Sequence, residues 1–385
     1  SPARSLFSVL GIGEIKMGVL ETGLPEEVGV DAKGLERADG HLSNAVELGE
    51  IGAASLTVVR RGKVILERGY GLMYPGAGAP SVNADAVFLL ASITKPVTVW
   101  SLMQLVDEGE VSIDDPVNHY LSKFFGEMRD QVLVRHLLSH TSGLPDMLPK
   151  NVELRRSHAA LDEFVEGAIQ TPLMFEPNTC FSYQSKGTLL TAAIIEKVSG
   201  ESLRDFQQRR IFSPLNMKSS SLGLGGRSVE DLVWCGTVSA DKESDDERSW
   251  GWNTRYWRDL GSPWGGMHSN GRDLAVLLHT AMNGGIYDGQ RILSLASTQA
   301  MQRNQNTHLA APWGLGWAMA DSIVWNRGGE LVSNKTFGHT GATGTVAWAD
   351  PLRELICIVL TNKMSHGGSL LRRVSNCVSA AVVDS

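Results

Sequence analysis

"LLASITKPVTVWSLMQL", Leu89 to Leu105, sets out an apolar run, a serine, a lysine three residues on and a proline directly after the lysine. Val97, Trp100, Leu102, Met103, Leu105 and the following Val106 recur closely enough to predict a helix covered around most of its girth. Proline is tolerated only at the start of a helix, where its missing N–H would have no partner in any case. Pro96 therefore sets the helix start near Ser92 or Ile93, unless it kinks the helix there. Ser92 and Lys95, at i and i+3, then share one face of the first turn. The serine hydroxyl lies at the positive end of the helix dipole, within reach of an amine. Burying a lysine is costly unless it is paired or its pKa falls. The stretch reads as a serine beside a base.

Working outward, the chain of 385 residues exceeds what one compact core usually serves, so two lobes are expected. "ASLTVVRRGKVILERGYGL" reads as a hairpin turning at Arg61-Gly62, and "GTVAWADPLRELICIVLTN" as a second turning at Asp350-Pro351. The closing "LLRRVSNCVSAAVV" has helical spacing. Between these ends "DQVLVRHLLSH", "LDEFVEGAIQ", "TLLTAAIIEKVSG", "ESLRDFQQRRIFSPL" and "GRDLAVLLHTAMNGG" are mostly helical, with Gly200 as a C-cap. Strands at the ends and helices in the middle predict an α+β fold. An antiparallel sheet lobe, about residues 22–90 and 270–385, would carry an inserted helical lobe, about 91–269. Residues 1–21 are set aside as an N-terminal extension.

Composition narrows the function. Hydrophobic residues make up 42% and charged residues 20%, as in ordinary globular proteins. A formal net charge of −7 argues against nucleic acid or an anionic membrane surface as partner. No apolar run reaches the length of a membrane span, and "SPARSLFSVLGIGEIKMG" lacks a signal-peptide pattern, so a cytoplasmic location is expected. Cys180, Cys235, Cys357 and Cys377 are widely spread, which argues against a disulfide framework or a zinc site. His136 and His140 stand at i and i+4 without a third ligand and read as a structural helix end; no metal or other cofactor is expected. The absence of a G-x-S-x-G elbow counts against an α/β-hydrolase. "ADKESDDERS" (240–249) reads as a solvated loop. Trp234, Trp250, Trp252, Trp257 and Trp264 form either plain packing or an apolar wall over a cleft.

Two further stretches carry chemistry. In "FSYQSKGTLLTAAIIEKVSG", Tyr183 stands at a loop-to-helix junction from which a phenol can relay a proton. In "FGHTGATGTVAWAD", glycines 338, 341 and 344 lead into a strand and would let a substrate approach an edge backbone closely. Singly, each has a plain reading: a capping serine, a packed tyrosine, a glycine-rich turn.

Together the three motifs resemble the serine β-lactamase and penicillin-binding-protein superfamily: an S-x-x-K at Ser92, a Y-x-S at Tyr183 and an H-T-G at His339. The likeness is to its class C branch, which includes the family VIII carboxylesterases, related acyltransferases and D-peptidases. "LLSHTSGLPD" (137–146), "PWGGMHSNGRDLAVLL" (263–278) and "LTNKMSH" (360–366) extend it from about residue 22 to the C-terminus.

The resemblance implies a β-lactamase/transpeptidase-like fold, with Ser92 as acyl-forming nucleophile and Lys95 as the base or its activator. It implies Tyr183 as proton shuttle and an oxyanion hole from the N–H groups of Ser92 and Ala342. Ser185, His339, Thr340 and Gly341 would line the substrate site. Class C β-lactamases usually carry asparagine where Ser185 stands and lysine where His339 stands. A largely neutral histidine holds a substrate carboxylate less well, so a small-molecule ester is the expected substrate. The rivals are a β-lactamase or D-amino-acid peptidase or amidase and, from another class, a catalytically silent binding homologue.

Overall fold

All eight residues of "AASLTVVR", Ala53–Arg60, are buried. A strand buried on both faces belongs in the middle of a sheet covered on both sides. The computed structural model describes residues 19–236, 247–322 and 328–384, so most of the expected N-terminal extension and most of "ADKESDDERS" lie outside the described residues. Its strands are β1 (Glu21–Thr22), β2 (Ala53–Arg60), β3 (Lys63–Gly71), β4 (Phe88–Leu89), β5 (Ser221–Leu222), β6 (Met267–Ser269), β7 (Ile286–Tyr287), β8 (Gln290–Arg291), β9 (Ala318–Met319), β10 (Phe337–Gly341), β11 (Thr345–Asp350) and β12 (Leu355–Thr361). The α-helices are α1 (Ala32–Glu47), α2 (Thr94–Asp107), α3 (Val134–Leu138), α4 (Asn151–Arg156), α5 (Leu161–Gln170), α6 (Lys186–Ser199), α7 (Leu203–Gln207), α8 (Arg255–Leu260), α9 (Gly271–Met282), α10 (Leu295–Met301) and α11 (Ser369–Ala380).

The main sheet runs β1-β3-β2-β12-β11-β10-β9, and so joins strands from both ends of the chain. The join is the antiparallel pair β2–β12, in register from Arg60↔Leu355 to Ala54↔Thr361. The sheet is mixed rather than wholly antiparallel. Every other pairing in it is antiparallel, but β1 at the edge runs parallel to β3.

Strand periodicity then sorts the core into two layers. Leu56, Val58, Cys357 and Val359 pack with Leu35 and Leu42 of α1 and with Val374 and Val378 of α11. Val59, Ile356, Ile358 and Leu360 face the opposite layer, with Leu274 and Leu278 of α9. The helical segments join that second layer through α2, whose residues from Thr94 to Leu105 are all buried. Such a helix has no solvent face, as the dense apolar spacing requires.

The first hairpin turns where expected: Arg61 and Gly62 both have positive φ, 49° and 76°, between the paired Arg60 and Lys63. The second is longer than Asp350-Pro351, because Asp350 pairs with Leu355 and four residues bridge them. Asp350 organises that loop, its carboxylate accepting from Leu352 N and Arg353 Nη1. Gly200 caps α6 at φ 74°.

Two alanine substitutions of opposite sign test this description. Gly62→Ala places a side chain at a left-handed φ and is expected to cost roughly 1–2 kcal/mol. Gly40→Ala lies inside α1 with nothing near the added methyl, and is expected to gain about 0.5–1 kcal/mol. The midpoint of urea unfolding should move down in the first and up in the second.

Candidate active site

Ser92 sits in a single 3-10 turn, Ala91–Ile93, that runs directly into α2. The helical start near Ser92 or Ile93 thus accommodates Pro96 in the opening turn of α2. Ala91 just before the serine has φ 50°, a sparsely populated value for a residue with a Cβ.

Three sets of bonds hold the turn in place. On one side Leu90 N donates to the Met267 carbonyl, and Met267 N donates to Thr94 Oγ1. Below, Thr98 Oγ1 donates to the Pro263 carbonyl. On the other side Thr343 Oγ1 and Thr345 Oγ1 donate to the carbonyls of Leu89 and Leu90, each at 2.8 Å.

The glycines of the "FGHTGATG" stretch serve this packing. A Cβ on Gly341 would lie 2.1 Å from the Leu90 carbonyl oxygen, and one on Gly338 would lie 2.4 Å from that of Ala347. β9 covers the outer side of β10 at Phe337 and Gly338. The close approach at Gly341 sets the exposed Ala342, the next residue, at the end of β10 beside the turn that carries Ser92.

Lys95 Nζ donates to Ser92 Oγ at 3.0 Å and to the Trp264 carbonyl at 3.2 Å. The lysine is buried and Ser92 only half-buried. Burial pushes the Lys95 pKa down to about 7, with Lys186 adding to the fall and the negative charge of Asp146 opposing it. The amine therefore exchanges its proton at neutral pH.

Tyr183 precedes α6, and its ring centroid lies 4.7 Å from Lys95 Nζ. The ring is set against His140 at 4.7 Å, Trp313 at 6.0 Å and His339 at 6.1 Å. His339 is buried, and its Nδ1 pairs with the Thr340 carbonyl. Burial first, then the charge of Lys95, takes its pKa down to about 3, so the imidazole is neutral. Thr340 is likewise buried. Ser185 Oγ donates to Asp146 Oδ1 at 2.6 Å.

The structure thus brings Ser92, Lys95 and Tyr183 together, and packs His339 against Tyr183 from the end of the sheet. Two neighbours escaped the sequence reading. His140, read as a helix end, lies beyond α3 at φ 62° and accepts from Gln184 N through Nδ1. It thereby fixes the loop that carries Tyr183. Asp146 supplies the local negative charge. Both stand in "LLSHTSGLPD", so the signal was present as a string but without a role.

The tryptophan cluster resolves mainly as packing. Trp250, Trp257 and Trp264 are buried. Arg155 lies 4.7 Å from the Trp250 ring and 3.7 Å from that of Trp257.

Among the described residues no group of His, Cys, Asp and Glu could hold a metal ion, and no helix is long and apolar enough to cross a membrane. The beta-lactamase family model matches residues 38–374. A Salmonella typhi protein provisionally named a D-alanyl-D-alanine carboxypeptidase is 25% identical, over 91% of this chain and 87% of its own. A crystal structure of a family VIII carboxylesterase superposes with TM-score 0.73 at 21% identity, covering 92% of this chain and 99% of the other. A penicillin-binding protein homologue from Caulobacter crescentus gives TM-score 0.75 at 21% identity, covering 91% and 98%.

The contact between β10 and the serine turn is open to test. Gly341→Ala forces a methyl onto the Leu90 carbonyl and is expected to destabilise by roughly 1–3 kcal/mol. The urea midpoint should fall without a change in slope.

Proposed function

The chain belongs to the beta-lactamase family, a family of serine hydrolases, and on that premise we propose that it is a carboxylesterase working through an acyl-enzyme. The observation that carries the reading is the hydrogen bond between a half-exposed serine and a buried lysine whose pKa lies near neutrality. A serine hydroxyl is a poor nucleophile until a base takes its proton. Neutral Lys95 provides that base: its lone pair accepts the Ser92 hydroxyl proton while one N–H still donates to the Trp264 carbonyl.

Ser92 Oγ bonds to the ester carbonyl carbon as its proton passes to Lys95. The N–H groups of Ser92 and Ala342 hold the resulting oxyanion. As the intermediate collapses, the carbon–oxygen bond to the alcohol breaks. The proton travels from Lys95 through the Tyr183 hydroxyl to the departing oxygen. Water then repeats the sequence on the acyl-enzyme, giving the acid and restoring Ser92.

The choice of ester over β-lactam rests on His339. A neutral imidazole in the H-T-G stretch offers no fixed charge to a substrate carboxylate, whereas a neutral ester needs none. The name of the Salmonella typhi relative favours a second reading, hydrolysis of a D-alanyl peptide by the same serine. A panel of p-nitrophenyl esters, a chromogenic cephalosporin and D-alanyl-D-alanine peptides separates the two.

Three outcomes are expected. Ser92→Ala should abolish labelling by a fluorophosphonate, with mass spectrometry placing the wild-type adduct on the Ser92 peptide; an adduct elsewhere would sink the assignment. In the wild type, kcat/KM should fall below about pH 7 as Lys95 takes up a proton and ceases to be a base. A profile flat from pH 5 to 9 would remove Lys95 from that role. His339→Lys should shift the ratio of cephalosporin to ester turnover toward the anionic substrate by roughly ten- to a hundred-fold, the value of one charge-assisted contact.

A further inference from the structure

One buried cation beside the site takes no part in the chemistry above. Lys186 opens α6 and is fully buried, and among the described residues its Nζ has no hydrogen-bond partner. An ammonium carries three donors and is costly to strip of water without acceptors. What Lys186 has instead is an aromatic face: Nζ lies 3.9 Å from the Trp264 ring and 5.7 Å from that of Phe164 on α5. Such a face attracts a cation, more strongly where water is excluded.

Trp264 is also the residue whose main-chain carbonyl accepts from Lys95. One tryptophan therefore holds two buried lysines, one on its ring and one on its carbonyl. A single carboxylate, Asp146, acts on both, and Ser185 fixes it with a hydrogen bond.

We propose that Lys186 is a positioning residue for acyl transfer: held as a cation on the Trp264 ring and sharing Asp146 with Lys95, it keeps Lys95 the unprotonated member of the pair. The inference rests on the serine-hydrolase reading of Ser92 and Lys95. Burial lowers both lysines to about 7, so neither proton is tightly fixed by its own site alone. Two interacting amines with one nearby carboxylate titrate as a unit.

The other groups around them leave this balance in place. His140 and His339 face Lys95 and are held neutral by burial. Tyr183 presents its ring to Lys95. Arg155 on α4 adds positive charge against Lys186. The ring face favours charge on Lys186. Lys95 has the more distant Tyr183 ring, at 4.7 Å, and meets a hydroxyl that its lone pair can accept from.

The experiment uses the full chain and a fluorophosphonate, with the second-order rate of Ser92 labelling measured from pH 5 to 9. Lys186→Met removes the charge and keeps the bulk. Its acid limb is expected to move up by about one pH unit, roughly a tenfold loss at pH 6 with the rate at pH 9 retained. Lys186→Arg should restore the limb toward the wild-type position. Asp146→Asn removes the shared negative charge and should move the limb down. It supplies a second reading should the methionine variant fail to fold.

An unmoved limb in Lys186→Met, or an upward shift in Asp146→Asn, overturns the proposal while leaving the hydrolase intact. A wild type unlabelled at Ser92 at every pH overturns the hydrolase reading, and this inference with it.

Discussion

The carbonyl of Leu90 fixes the geometry on which the rest of the site depends. It lies where Gly341 has no side chain, and it accepts from the hydroxyl of Thr345. The amide of the same residue donates to Met267, on a strand only three residues past Trp264. One residue thus ties the terminal sheet to the helical part of the chain. Ser92, two residues on, takes its place from both. Displacing either neighbour would move the serine relative to the end of β10 and to the carbonyl that holds Lys95.

Around that fixed turn the electrostatics run against the character of the chain as a whole. The protein is acidic, with a formal net charge of −7. Yet its buried centre gathers Lys95, Lys186, His140 and His339, with Asp146 as the negative charge acting on both lysines. Desolvation resolves the conflict by driving protons off: the histidines become neutral and the lysines approach neutrality. The result is a cluster of basic atoms in which the histidines carry no charge and the lysines hold their protons loosely. That combination suits moving protons more than gripping anions.

How much of this was legible in the sequence follows from the range of each interaction. Ser92, Lys95 and Pro96 sit within one turn, so helical geometry alone brought the hydroxyl and amine together. The two hairpins were legible because β-rich runs and turn residues are local signals. His140, Asp146 and Lys186 were not, because their roles arise from contacts between loops and helices far apart in the chain. The glycines show a different gap. Close approach at 338 and 341 could be read as room for a substrate, but a sequence does not show that the protein's own backbone also comes close there. The parallel edge strand β1 was missed for want of any hairpin signal.

The pairing of β2 with β12 has a kinetic consequence. Thr57 lies beside Ile358 across nearly the whole length of the chain. Bringing such distant segments together costs loop-closure entropy before any contact rewards it, so folding is set to be slow. On the ribosome the first hairpin emerges long before its partner. Until the last strand appears, one edge of β2, eight residues long, is left unpaired. The helical segments are free to collapse in the meantime, but the serine turn cannot be clamped until Gly341 and Thr345 arrive. The clamp on the serine turn is therefore completed last, by the order of synthesis itself.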